Sequence, residues 1–360
     1  MRELKLMKGN EAIAEAAIRA GVDGYFGYPI TPQSEVMETL MAEKPWETTG
    51  MVVLQAESEI ASINMVYGGA GCGKRVMTSS SSPGVSLMQE GLTYLAGAEL
   101  PCVVVNVVRG GPGLGTIQPA QSDYFQTVKG GGHGDYKLIT LAPASVQEMA
   151  DFVETAFDLA FKYRNPVMIL SDGVIGQMME KVELKEFKPR WTADYIEQNH
   201  PWATTGKKKD RAKNIITSVQ LEASVQEAFN HKLQNKYQQV EENEVLFEET
   251  MCDDAEYLVV AYGSSARICQ KSVELAREKG IKVGMLRPIT LYPFPTRQLQ
   301  ERAKQVKGIL SVEMSAGQMV EDVKLAVECK VPVEHYGRFG GSVHSPGEVV
   351  EALEQKLIGG

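Results

Sequence analysis

Between about residues 9 and 175, helical periodicity alternates with short apolar runs rich in β-branched residues. The helical stretch NEAIAEAAIRAG leads into DGYFGY, and MVVLQA, RVMTSS, PCVVVNVVR, KLITLA and PVMILSDG follow at intervals that hold helices. Strands that alternate with helices build βαβ units on a parallel sheet. The runs show no strict polar alternation, as expected of strands covered on both faces. The pattern predicts a parallel-sheet α/β domain over residues 1–185.

The chain then changes character. KPRWTADYIEQNHPWATTGKKKDRAKN is polar and rich in turn residues, and SVQLEASVQEAFNHKLQNKYQQVEENEVLFEE reads as one long charged helix. Residues 186–251 are therefore expected to form a polar connector, with the GKKKDR run at 206–211 a solvated loop. Alternation resumes with AEYLVVAYGSSA, KVGMLRPITLYPFP, GILSVEMSAGQ and VPVEHYGRFGG, which predicts a smaller α/β domain over 252–360.

Charge and cysteine usage narrow the classes. Lys and Arg number 37 against 46 Asp and Glu, a net charge of -9, which argues against nucleic acid or an anionic membrane as partner. The five cysteines form no C-x-x-C pair and no Cys/His cluster, so this chain is expected to hold neither zinc nor an iron–sulfur cluster. The opening MRELKLMKGNEAIAEAA lacks a signal-peptide core, and no window nears the ~18–20 apolar residues that span a bilayer. A cytoplasmic protein is the expectation.

Several stretches invite chemistry. GGAGCGKR at 68–75 matches part of a phosphate-binding loop, but Arg75 stands where a Ser or Thr must meet magnesium, and a helix precedes it where a strand is needed. A helix end and turn is the reading. RGGPGLGTIQP follows a strong strand, which places Arg109 at a strand's carboxyl end, where open parallel sheets bind ligands. SSSSPGVSLMQEGL is a strand exit followed by a helix starting near Pro83, with free backbone N–H groups at its first turn. LQAESEIASIN sets Glu57 and Glu59 at a strand-to-helix junction, either as carboxylates near a helix start with Ser58 as cap, or as a proton-exchanging group for a bound heterocycle. His133 in GGGHGDY lies in a flexible loop.

Taken together, YPITPQSE, QAESEIASIN, TSSSSPGVSLMQEG, RGGPGLGTIQPAQSD, GGGHGDY and LRPITLYPFP resemble the α subunit of 2-oxoacid:ferredoxin oxidoreductases, most of all the 2-oxoisovalerate branch, with the 2-oxoglutarate enzymes next. The resemblance runs from Gly9 to about residue 345. It implies a pyrimidine-binding domain of the thiamine diphosphate type, followed by a domain of the transketolase carboxyl-terminal type. It also implies a β subunit holding magnesium and the diphosphate. Iron–sulfur and γ-type subunits would carry electrons to ferredoxin, and coenzyme A would accept the acyl group. The G-D-G signature of the magnesium half has no counterpart here, since SDG at 171–173 lacks the first glycine.

Residue by residue, the resemblance gives Glu59 the hydrogen bond to N1′ of the aminopyrimidine, which promotes the imino form and hence the thiazolium ylid. Thr31 and Arg109 would grip the substrate carboxylate, with Pro29 and Pro32 stiffening the turn that presents Thr31. Tyr28, Pro29, Ile30, Ser82, Pro83 and Gly84 would line the cofactor. His133 and Asp135 are family-like without a derivable role. The rival readings are a 2-oxoglutarate enzyme, a non-catalytic scaffold of the same fold, and a nucleotide-binding regulator that uses Lys74.

Overall fold

The computed structural model describes residues 3–207 and 210–359, so Lys208 and Lys209 of the GKKKDR run lie outside the described residues. In chain order the strands of the first half are β1 (Glu3–Lys8), β2 (Gly24–Gly27), β3 (Val52–Gln55), β4 (Val76–Ser80), β5 (Cys102–Val108), β6 (Ile139–Leu141), β7 (Pro166–Asp172) and β8 (Met179–Leu184). The second half adds β9 (Phe247–Thr250), β10 (Tyr257–Ala261), β11 (Val283–Pro288), β12 (Thr290–Tyr292), β13 (Gly308–Glu313) and β14 (Val333–Gly337).

Seven strands form the main sheet in the order β12-β6-β7-β5-β4-β2-β3, with every neighbouring pair parallel except β12–β6. All six apolar runs expected before residue 175 are strands of this sheet. β4, β5 and β7 are buried at every position, which is why they carry no polar alternation. The helices Gly9–Arg19, Ser82–Gly97 and Val146–Tyr163 contribute Ile13, Leu92, Leu95, Val153 and Phe157 to the core over this sheet. A short antiparallel pair, β1 with β8, lies outside the expected pattern.

The second sheet runs β14-β13-β10-β11-β9, parallel apart from β9. Along β10 the faces alternate: Leu258 and Val260 join the core shared with the first sheet, while Val259 and Ala261 join a separate core beneath the helix Gly263–Glu278. One face of this sheet therefore packs on the first unit.

Two segments depart from the sequence reading. The expected single helix through residue 249 stops at Asn243, and Phe247–Thr250 becomes the antiparallel edge strand β9. Leu233, Tyr237 and Val240 give the helix one buried stripe, and that stripe ends with it. Beyond it, Glu248 accepts from Arg287 Nη1 at 2.8 Å on the neighbouring strand and Glu249 from Arg302 Nε at 2.7 Å on the helix Thr296–Ala303, so cations far along the chain take these charges. In the second departure, β12, from LRPITLYPFP, leaves the second unit and completes the first sheet, pairing Thr290 with Leu141 and Tyr292 with Thr140. Among the described residues no helix is long and apolar enough to cross a membrane.

Arg287 joins the two units. It is buried, donates to Glu148 Oε1 at 3.0 Å on the first turn of the helix Val146–Tyr163, and reaches Glu248 on β9. Replacing it with Met leaves both carboxylates without their cation. The expected loss is about 2 kcal/mol of unfolding free energy, below the ~3–5 kcal/mol of a fully buried pair because Glu248 is half exposed. Urea denaturation of the purified chain measures it, and an unchanged midpoint would remove Arg287 from this role.

Candidate active site at the carboxyl edge of the first sheet

Strands β5, β4, β2 and β3 lie side by side and parallel, so all four leave the sheet on one edge. Ligands of open parallel sheets bind outside such an edge. The exits carry Tyr28, Pro29, Ile30 and Thr31 after β2, Glu59 after β3, Ser82, Pro83 and Gly84 after β4, and Arg109 after β5. Every residue expected at the cofactor and substrate sites comes to this edge.

Glu59 opens the helix Glu59–Gly71, whose cap Ser58 accepts from the Ala61 N–H at 3.3 Å. Glu57 is exposed, whereas Glu59 is only 6% exposed. Among the described residues no donor or cation meets the Glu59 carboxylate. Gly84 makes room for it: a Cβ there would sit 2.6 Å from Glu59 Oε1 and 2.1 Å from Ser80 Oγ. Only glycine lets the helix Ser82–Gly97 start this close. The Ser80 and Ser81 hydroxyls are buried there with no hydrogen-bond partner among the described residues. Two buried hydroxyls without partners are costly unless another molecule satisfies them.

Arg109 and Thr31 meet directly. Arg109 Nη1 donates to the Thr31 carbonyl at 2.9 Å and Nη2 to the Leu114 carbonyl at 3.2 Å. Arg109 as a residue is 6% exposed, and its Nε–H is buried with no partner among the described residues. Thr31 itself is exposed. Ser82 Oγ accepts from the Arg109 N–H at 3.1 Å, which ties the exits of β4 and β5 together.

Behind these groups lie residues the sequence reading missed. Gln33 is fully buried; its Oε1 accepts from Ser79 Oγ at 2.5 Å, and Ser79 Oγ lies 2.7 Å from the Tyr25 hydroxyl. Burial pushes the Tyr25 phenol up to about 12 against the hydrogen bond with Ser79. The Pro32 carbonyl accepts from Asn10 Nδ2 at 2.6 Å and Gln177 Nε2 at 2.9 Å, and both amides also donate to Glu35. Burial raises the Glu35 carboxyl, but hydrogen bonds from Gln177, Asn10 and Lys8 outweigh it and hold the group below the ordinary carboxylate value. The turn from Tyr28 to Glu35 is thus bolted to the sheet at two points. Asn106, in the middle of VVVNVV, donates to Asp123 Oδ2 at 2.9 Å, and burial raises the Asp123 carboxyl despite hydrogen bonds from Ser82 and Asn106. A polar residue inside an apolar strand was the available signal for Asn106.

Other candidates lie elsewhere. His133 and Asp135 border a cavity of about 260 Å³ with Thr93, Tyr94 and Phe229. That is ~15 Å along the helix from Gly84, at 1.5 Å per residue. GGAGCGKR spans the end of the helix Glu59–Gly71 and the turn into β4, with Lys74 near Asp23 at 3.5 Å and Arg75 stacked 4.3 Å over Trp191. The order there is helix, turn, strand, the reverse of a phosphate-binding loop.

Residues 15–249 match the family model for pyruvate flavodoxin/ferredoxin oxidoreductase, thiamine diphosphate-binding, and residues 255–349 match that for pyruvate:ferredoxin oxidoreductase core domain II. The chain is 50% identical over 351 residues to the ketoisovalerate oxidoreductase subunit VorB of Methanothermobacter thermautotrophicus, covering 98% of this chain and 97% of the relative. It is 37% identical over 358 residues to the 2-oxoglutarate synthase subunit KorA of Archaeoglobus fulgidus, covering 99% of this chain and 100% of the relative. Among solved structures, a 2-oxoglutarate:ferredoxin oxidoreductase from Magnetococcus marinus superposes with a TM-score of 0.85 at 25% identity, covering 99% of this chain and 66% of that one. With two family models in series along the same fold, and a relative sharing half of its residues, the chain belongs to the 2-oxoacid:ferredoxin oxidoreductases, as a subunit that carries the family's thiamine diphosphate-binding region.

Proposed function

We propose that this chain supplies the aminopyrimidine half of a thiamine diphosphate site for oxidative decarboxylation of a branched-chain 2-oxoacid, 2-oxoisovalerate, in a cytoplasmic hetero-oligomer. The observation that carries the reading is Glu59, a residue only 6% exposed whose carboxylate meets no donor among the described residues and sits in space that Gly84 leaves clear. A protonated ring nitrogen is the kind of donor such a carboxylate requires. When bound, the cofactor would supply the carbon nucleophile for the keto group and accept the electron pair as carbon dioxide leaves.

Each residue then has a distinct task. Glu59 holds a proton on N1′ of the ring. Ser82, Pro83 and Gly84 line the ring with a helix's first turn, and Tyr28, Pro29 and Ile30 face it from the next strand exit. Arg109 has five N–H donors, of which two are engaged by the Thr31 and Leu114 carbonyls. The remainder, with the Thr31 hydroxyl, suit a carboxylate, and holding it there aims the keto carbon.

The substrate's branched chain is supported by the 50% identical relative's name and by the loop beside Arg109. Residues 110–119 carry no charged side chain, and Leu114 and Ile117 on it are exposed apolar groups. The distal carboxylate of 2-oxoglutarate wants a second cation. Magnesium and the diphosphate belong to a β subunit, and iron–sulfur clusters to further subunits, with a γ-type subunit completing the acyl transfer to coenzyme A and electron delivery to ferredoxin.

Glu59→Gln in the assembled enzyme is expected to lower kcat by about 100-fold or more. Turnover within about threefold of the parent, with the complex intact by size-exclusion chromatography, would reduce the chain to a scaffold. Arg109→Lys, which loses the planar fork, should raise KM for the 2-oxoacid about tenfold. Substrate profiling should give 2-oxoisovalerate a kcat/KM about 100-fold above that of 2-oxoglutarate, and the opposite order would move the chain to the 2-oxoglutarate branch.

A further inference from the structure

The segment that follows Arg109 is held along its length by the second unit. Gln121, 2% exposed, uses every polar group it has there: its N–H donates to the Met314 carbonyl at 2.8 Å and its Nε2 to the Tyr262 carbonyl at 2.9 Å. Its Oε1 accepts from Ser265 Oγ at 2.7 Å and the Met314 N–H at 2.9 Å, and its carbonyl from the Tyr262 hydroxyl at 3.1 Å. Gln318 then takes the Ser122 carbonyl and the Phe125 N–H, each at 2.8 Å. Asp322 accepts from the Tyr124 hydroxyl at 2.6 Å. Nearer Arg109 the backbones touch: a Cβ on Gly341 would lie 2.5 Å from Gln118 Cβ, and one on Gly110 would lie 3.2 Å from the Gly341 nitrogen.

These contacts bear on the guanidinium through one short path. Gly110 N–H donates to the Gln118 carbonyl at 2.9 Å and Thr116 N–H to the Gly110 carbonyl at 2.8 Å, closing residues 110–118 into a compact loop. That loop presents the Leu114 carbonyl to Arg109 Nη2. Where the second unit holds residues 118–125, it sets where Leu114 stands. We propose that Gln121, with Gln318, is a positioning residue for the substrate carboxylate: the second unit aims Arg109 by clamping the loop that orients it. This rests on the assignment of Arg109 to the carboxylate. A saturated, buried amide makes the clamp stiff, because loss of any one bond strands a buried partner.

The test compares Gln121→Leu and Gln318→Ala with Arg109→Lys in the assembled enzyme. The latch variants should raise KM for the 2-oxoacid about five- to tenfold, while kcat at saturation and the thiamine diphosphate affinity of the cofactor-depleted complex stay within about twofold. In the double variant Gln121→Leu/Arg109→Lys, KM should match that of Arg109→Lys alone, because the latch acts through that side chain. Unchanged KM in the latch variants, additive effects in the double variant, or a joint fall of kcat and cofactor affinity would each overturn the proposal. If Gln121→Leu does not assemble, Gln318→Ala decides, since Gln318 is only partly buried. Should Arg109→Lys itself leave KM unchanged, the carboxylate assignment fails; a normal Arg109 effect beside silent latch variants sinks the latch alone.

Discussion

Parallel strands all leave a sheet on the same edge, and this chain places its four most reactive exits on neighbouring strands. The order β5-β4-β2-β3 arises because the helix Glu59–Gly71 carries the chain from β3 back across β2 to β4. That single crossing brings Glu59 beside Gly84, and Thr31 beside Arg109, although these pairs are far apart in the chain. An antiparallel arrangement would send alternate exits to opposite edges and dismantle the site.

Hydrogen bonds tie the turns behind the site to the sheet. Gln33, Ser79, Glu35, Asn10 and Gln121 are bonded to one another or to backbone, and so fix the turns they sit in. Ser80 Oγ, Ser81 Oγ and Arg109 Nε, one layer nearer the edge, have no partner among the described residues. Turns tied down by such bonds, with donors and hydroxyls left open beside them, are the arrangement of a preorganised site, in which much of the entropic cost of ordering is met before a ligand arrives.

The two α/β units do not separate cleanly. β12 completes the first sheet from within the second half of the chain, and β9 joins the second sheet from the connector. Arg287 spans both through Glu148 and Glu248, and Gln121 is enclosed by Tyr262, Ser265 and Met314. The second unit is therefore built into the ground on which Arg109 stands.

Six strands of the first sheet were legible in the sequence, because strands buried on both faces are written as unbroken apolar runs such as VVVNVV and PVMILS. Glu59, Thr31 and Arg109 were legible as residues at strand exits, and the family resemblance supplied their roles. Spacing alone left Glu57 and Glu59 open; burial distinguishes them, since Glu59 packs against Gly84 while Glu57 is exposed. The supports, Gln33, Asn10, Gln121 and Gln318, were not legible, since a lone amide carries no local period and acquires meaning only from a partner far along the chain. For the same reason FEE read as helix: its strand conformation depends on β11, Arg287 and Arg302, none of them near in sequence. Local pattern determined the elements and the exits; the pairing of distant hydrogen-bonding groups, which only the folded chain creates, decided how those exits are held.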